Sequence, residues 1–382
     1  SSSLFDSNDA FLKLELKVDM LGSTFAMTHC SSLFALALLS LARAGTGALT
    51  APPAPVEVFV RGQKDIYNTS YACFRIPALV RTRNNTLLAF AEGRLDGCRP
   101  DVRVNRPIVV RSSYDEGATW SSIRYAVPPK PDTSLNYPAP VVIGDKILLH
   151  YSSNFGTNVT VSTDDGLTWT PLGHAGLPGA CAVGGAVKLS ETKLVVACPD
   201  HAEISEDGGQ TWRRSRGNIS KGENVSGLGQ ENYLAADGRP GRLAMFMRAG
   251  SKNPLANHAL AQSDDEGETW TAARLLPEVM GTTCQGGIGH DPQGPPGELF
   301  LAAPSWPNGG LGGRRNMSIW ALDGTSSTSH ARYLETAWSG AAGYSAFETT
   351  GKTPLLLYEA GGHDYHYGIK LSKIERDHQV FV

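Results

Sequence analysis

The chain has no stretch that reads as a long helix. Neither a heptad register nor an amphipathic 3.6-residue pattern of useful length appears in its 382 residues, which sets aside bundles and coiled coils. A charge bias is missing too. Charged residues make up 19% and the formal net charge is −3, so there is no basic face for a nucleic-acid partner. The apolar run Leu33–Ala42 is only ten residues long, too short for a comfortable membrane span. Cysteines (6) and histidines (10) are scattered in spacings that fit no zinc pattern, so neither a metal nor another cofactor is expected. Glycine (42) and proline (23) are instead plentiful, as in many short strands joined by tight turns. The expectation is an all-β chain.

Against that background one pattern recurs. Ser-x-Asp-x-Gly-x-Thr-Trp stands at Ser113–Trp120, Ser162–Trp169, Ser205–Trp212 and Ser263–Trp270, with starts 49, 43 and 58 residues apart. A unit repeating at such a period belongs to propellers, solenoids or arrays. Its chemistry is that of a turn. Asp accepts from turn amides, and Gly supplies positive φ. Ser and Thr hydroxyls close the turn, while Trp packs between strands. β-type runs precede the copies, such as Pro107–Val110 and Asn158–Val161. Each copy therefore reads as strand, rigid turn and strand, a corner of a sheet blade and structural first.

This pattern resembles the Asp box of the sialidase (neuraminidase) superfamily. The resemblance implies a six-bladed β-propeller with Asp-box turns. Asp boxes also occur in non-catalytic propellers, so activity has to be argued from other residues.

Residues 1–26 carry no pattern and are expected to be an unstructured extension, the start of a fragment or of an over-extended reading frame being the expectation for a chain that opens without Met. From Met27 a short polar lead, the apolar run and Ala42-Arg43-Ala44 resemble a signal peptide over 27–44. An uncleaved anchor is the alternative. After cleavage 338 residues remain, about 56 per blade for six blades. Residues 45–55 form a Pro-rich lead-in and 56–382 a single propeller domain. Six sequons, at Asn68, Asn84, Asn158, Asn218, Asn224 and Asn316, favour the secretory pathway, with a secreted or lysosomal destination. Cys181 and Cys198 bracket a hairpin-like segment and suit a bridge, with Cys73–Cys98 a second option. Beyond Cys30 five cysteines remain, so at least one thiol stays free or pairs between chains.

Cleaving a sialic acid glycoside needs fixed positive charge matched to a planar carboxylate, which guanidinium forks provide. It also needs an acid for the leaving oxygen and a nucleophile that the substrate carboxylate does not repel. A neutral Tyr primed by a base meets that demand. By resemblance, Arg75 in Phe74-Arg75-Ile76-Pro77 is the first Arg of a carboxylate clamp. Arg248, ending Leu243–Arg248, matches the second, and Arg314 the third. Arg314 is preferred to Arg315 on register, because strand alternation puts the two on opposite faces. The acid/base falls in the loop after Glu92-Gly93-Arg94. Asp101, 12 residues before Ser113, is preferred to Asp96. Arg94 is expected beside the site, in touch with substrate. Tyr344 in Gly343-Tyr344-Ser345 looks like the family nucleophile, and Glu231 occupies the place of its base, although the continuation after Glu231 departs from the family pattern. Glu359 resembles the late Glu that braces the first Arg, and Gln285 is a further candidate for substrate contact.

The resemblance spans Arg75 to Glu359. It implies an exo-α-sialidase acting on sialylated glycoproteins, glycolipids and oligosaccharides with retention through a tyrosyl intermediate, with no nucleic-acid partner and no membrane span after cleavage. A trans-sialidase and a non-catalytic glycan-binding propeller are the alternatives.

Overall fold

The structure, a computed structural model, describes residues 53–375 apart from 99–104, 155, 178–180, 182–184, 252–257, 282, 306–312 and 326–329. The expected extension (1–26), the leader (27–44) and most of the lead-in lie outside the described residues. What is described is strand and turn, with one short 3₁₀ turn, η1 (Tyr365–Tyr367). No helix among the described residues is long and apolar enough to cross a membrane.

After β1 (Val56–Val60), four antiparallel sheets of four strands follow in chain order. The first contains β2 (Cys73–Arg81), β3 (Leu87–Arg94), β4 (Ile108–Ser113) and β5 (Arg124–Val127). The second contains β6 (Asn136–Ile143), β7 (Lys146–Ser153), β8 (Gly156–Ser162) and β9 (Thr170–His174). The third contains β10 (Ala186–Lys188), β11 (Leu194–Ala197), β12 (Ala202–Ser205) and β13 (Arg213–Arg214). The fourth contains β14 (Val225–Ala236), β15 (Leu243–Ser251), β16 (His258–Ser263) and β17 (Arg274–Leu275). The remaining strands are β18 (Gly287–Gly289), β19 (Glu298–Pro304), β20 (Arg315–Asp323), β21 (Arg332–Glu348), β22 (Leu355–Gly361) and β23 (Gly368–Lys373). They form one seven-stranded sheet in the order β1-β23-β22-β21-β20-β19-β18. The 17-residue β21 changes partner along its length. From Arg332 to Ala341 it pairs with β20, and from Ala341 to Glu348 with β22.

Successive sheets pack face to face. Phe90 and Val110 meet Leu149 of the second sheet, Leu148 meets Leu194 of the third, and Val195 meets Met245 of the fourth. Phe246 then meets Leu301, Phe300 meets Tyr358, and Leu357 and Ile369 return to Phe74. The first strands also touch in a closed circuit, β2 on β6, β6 on β10, β10 on β14, β14 on β18, β18 on β21 and β21 on β2. The arrangement is all-β and propeller-like. A middle strand covered on both faces needs an unbroken apolar run, which is why Leu87-Leu88-Ala89-Phe90-Ala91 does not alternate. Each such Leu or Phe contributes about 1.5–3 kcal/mol by its burial.

Each Ser-x-Asp-x-Gly-x-Thr-Trp repeat joins the third strand of a four-stranded sheet to the fourth. In the last copy Asp265 Oδ1 accepts from Ser263 Oγ at 2.9 Å and from Thr269 N at 2.8 Å, and Oδ2 accepts from Thr269 Oγ1 at 2.7 Å. The Gly267 N–H donates to Ser263 Oγ at 2.9 Å, and Gly267 has φ +89°. The other three copies repeat these contacts. Trp120, Trp169, Trp212 and Trp270 pack against the cores between sheets. Cys73–Cys98 and Cys181–Cys198 are bridged, and Cys284 is free and buried.

Candidate functional site

Four of the first strands lose register near one end of the ring. The breaks fall between Arg75 and Ala78 in β2, Asn136 and Ala139 in β6, Leu228 and Asn232 in β14, and Ala342 and Ser345 in β21. The sequence supplies local causes. Pro77 and Pro138 have no N–H for a ladder. At Gly229 a Cβ would meet the Arg248 carbonyl oxygen at 1.9 Å, and at Gly343 it would meet Glu359 Oε2 at 2.0 Å. Such bulges re-aim side chains. Ile76 and Tyr137 are held at φ +55° and +57°, costly for non-glycine residues and an outlier for a β-branched one.

The re-aimed side chains converge on Tyr344. Its hydroxyl donates to Glu231 Oε1, and Arg248 Nη1 donates to Glu231 Oε2. The same Arg248 nitrogen lies 3.4 Å from Tyr344 Oη. The Arg75 and Arg314 guanidinium carbons each lie 5.3 Å from the centre of the Tyr344 ring. Both also face Tyr365 of η1, at 5.3 and 5.6 Å. Two cations and two aromatic rings thus form a box, each cation–π contact contributing about 0.5–2 kcal/mol.

Glu359 on β22 is fully buried and anchors the group. Its Oε1 accepts from Arg75 Nε at 2.6 Å and from the Ile76 N–H at 2.8 Å, and its Oε2 accepts from the Tyr344 N–H at 3.1 Å. The Glu359 carboxylate therefore orients Arg75 and the Tyr344 backbone together. Burial alone would lower the Arg75 pKa, but the Glu359 charge outweighs it and the value rises. Burial, then the negative charge of Glu231, pushes the Tyr344 phenol well above its ordinary 10. The resting group is a phenol hydrogen-bonded to Glu231. Ile76, Cys284 and Tyr344 pack as a small apolar cluster with Tyr137 against it, and burial raises the Cys284 thiol to about 11.

Arg94 is 2% exposed and committed to other partners. It donates to Glu92 Oε2 at 2.6 and 3.0 Å and to the Cys98 carbonyl at 2.7 Å. Glu92 also accepts from the Tyr137 N–H at 3.2 Å, and Tyr137 Oη lies 3.4 Å from Glu231. Arg94 thus reaches the centre through Glu92 and Tyr137. Gln285 is a strap: its Oε1 accepts from Ser345 N at 3.0 Å, and its Nε2 donates to the Ser345 and Gly286 carbonyls at 2.9 Å. Asp101 lies outside the described residues, and Asp96 is exposed. Sequence reasoning missed Tyr137, whose signal is a Tyr directly before a strand Pro, and Tyr365, whose signal is the Tyr-His-Tyr cluster at 365–367.

A second cavity of ≈ 1010 Å³ opens among the other ends of these strands. Its Arg81 is already bound by Glu116 at 2.6 Å and Glu348 at 3.0 Å, so the chemistry concentrates at the Tyr344 end.

A BNR repeat-like domain matches residues 70–355. An exo-alpha-sialidase of Arthroderma benhamiae is 28% identical over 280 residues, 61% of this chain and 64% of the relative, so the match spans under two thirds of that protein. Among solved structures, the Hadza microbial sialidase Hz136 is 22% identical at a TM-score of 0.60, covering 79% of this chain and 66% of that one. The NanB sialidase of Streptococcus pneumoniae is 15% identical at 0.66, covering 85% and 71%. The chain belongs to the family of BNR repeat-like domains, whose model matches residues 70–355.

Proposed function

We propose that the protein is an exo-α-sialidase on a six-bladed propeller. The blade count takes the four four-stranded sheets and divides the seven-stranded sheet at Ala341, so that β21 serves one blade with each half. The observation that carries the activity is the Tyr344–Glu231 hydrogen bond, surrounded by Arg75, Arg248 and Arg314.

In this reading the three guanidinium groups bind the sialic acid carboxylate. Tyr344 Oη attacks the anomeric carbon as its proton passes to Glu231, and the glycosidic oxygen leaves with a proton from Asp101. Water, deprotonated by Asp101, then displaces Tyr344 Oη, which takes its proton back from Glu231. Two inversions leave the configuration retained. Arg94 acts through Glu92 and Tyr137 as a positioning residue. Two disulfides, with exposed sequons at Asn68, Asn84, Asn218 and Asn224, support an oxidising, lumenal or secreted setting.

Release of a fluorescent aglycone from an α-sialoside tests the reading. Wild type is expected to release it, and Arg75→Ala to lose about 10²–10³-fold in kcat/KM, as for removal of a preorganised charge. No release by wild type, or equal release by both, sinks it.

A further inference from the structure

Arg314 and Tyr365 have a second side. Both line a cavity of ≈ 1090 Å³ whose wall also includes Arg61, Arg315, His363 and Asp364. Three guanidinium groups there meet one carboxylate, and Asp364 is already taken by Arg61 at 3.1 Å and by His366. Among the described residues, the half-buried Arg315 guanidinium has no hydrogen-bond or ion-pair partner. In a regular strand Arg314 and Arg315 would point to opposite faces. They share this cavity where the ladder shifts between Arg315 and Met317 and Asn316 adopts φ +52°. Once Arg314 serves the carboxylate at Tyr344, Arg315 is a cation without an assigned anion.

We propose that this cavity is a subsite for a carboxylate on the leaving group, so that the preferred substrate is a sialoside whose second residue is itself an acidic sugar. The inference rests on the sialidase reading above. Gly97 and Cys98, in the segment leading to the proposed acid, line the same cavity, which puts the leaving group on this side. The volume is on the scale of a pocket for a further sugar. A guanidinium suits a planar carboxylate and is weakly hydrated, so pairing loses little solvation.

The test measures kcat/KM of the full chain on a sialic acid α-linked to galactose and on one α-linked to a second sialic acid. Wild type is expected to favour the disialoside. Arg315→Gln should cut that preference about ten- to a hundredfold, the worth of one charge-assisted hydrogen-bonded pair, mainly through KM. Arg315→Lys should recover part of it. If both substrates turn over and wild type favours the neutral one, or Arg315→Gln leaves the ratio unchanged, the subsite is wrong and the sialidase reading stands. If neither turns over, the sialidase reading falls and calorimetric titration with the two glycans decides the subsite. Tighter disialoside binding that weakens in Arg315→Gln supports it; equal affinities overturn it.

Discussion

In the proposed reaction Tyr344 depends on its neighbours rather than on its own acidity. Burial and the Glu231 charge hold its proton on, so the proposed attack on carbon would coincide with proton transfer to Glu231. Glu231→Gln keeps the shape and removes the acceptor. It is expected to lower kcat by about 10²–10⁴-fold, the usual worth of a positioned base. A variant within threefold of wild type in steady-state turnover would contradict that role. At this scale the sequence was most informative where chemistry limits residue type. A carboxylate calls for Arg, and the resemblance to family motifs singled out Arg75, Arg248 and Arg314 among the chain's arginines. Tyr137 and Tyr365 were not, because an aromatic residue in a β protein looks like core until its backbone is known to turn inward. Gln285 was misjudged for a related reason: nothing in Cys-Gln-Gly-Gly shows that its amide is spent on Ser345.

Among the elements, the strands that build the site are the irregular ones. Pro77, Pro138, Gly229 and Gly343 interrupt ladders where side chains have to be redirected. Of the two neighbouring arginines, Arg314 is the one that lies over the Tyr344 ring, as strand alternation led one to expect of only one of them. The Asp-box turns are the regular elements. Asp265 closes its turn through three hydrogen bonds at partial exposure. Asp265→Ala is therefore expected to cost about 1 kcal/mol, as loss of a capping residue does. Urea unfolding should show a lower midpoint at unchanged slope, with sialidase turnover of the folded protein retained. A drop in turnover without a stability change would mean that the turn is part of the site.

For the whole molecule, closure couples the two ends of the domain. β1 completes the sheet begun by β22 and β23, and Glu359 from that sheet holds Arg75 from the first. The repeat period left propeller, solenoid and array open, and the change of partner along β21 leaves no mark in the residues around Ala341. The ring also buries histidines, two of them completely. His150 and His258 are fully buried, and burial lowers each pKa from 6.5 to about 4. The unfolded chain binds those protons first, so the stabilisation is complete above pH 6.5 and is lost as pH falls through 4. Each contributes about 3 kcal/mol to that change. The denaturation midpoint should fall steadily from pH 6.5 to 4, less steeply in His150→Phe. A profile flat over that range would show that the histidines are solvated in the native state.

The central claim is that Tyr344 bonds to the sugar during turnover. Its most direct test quenches the full chain during reaction with a sialosyl fluoride deactivated by a second fluorine on the neighbouring carbon, then maps the peptides by mass. The account predicts one sialosyl adduct, on the peptide carrying Tyr344, absent in Tyr344→Phe. An active enzyme with no adduct, or with the adduct on another residue, would contradict it.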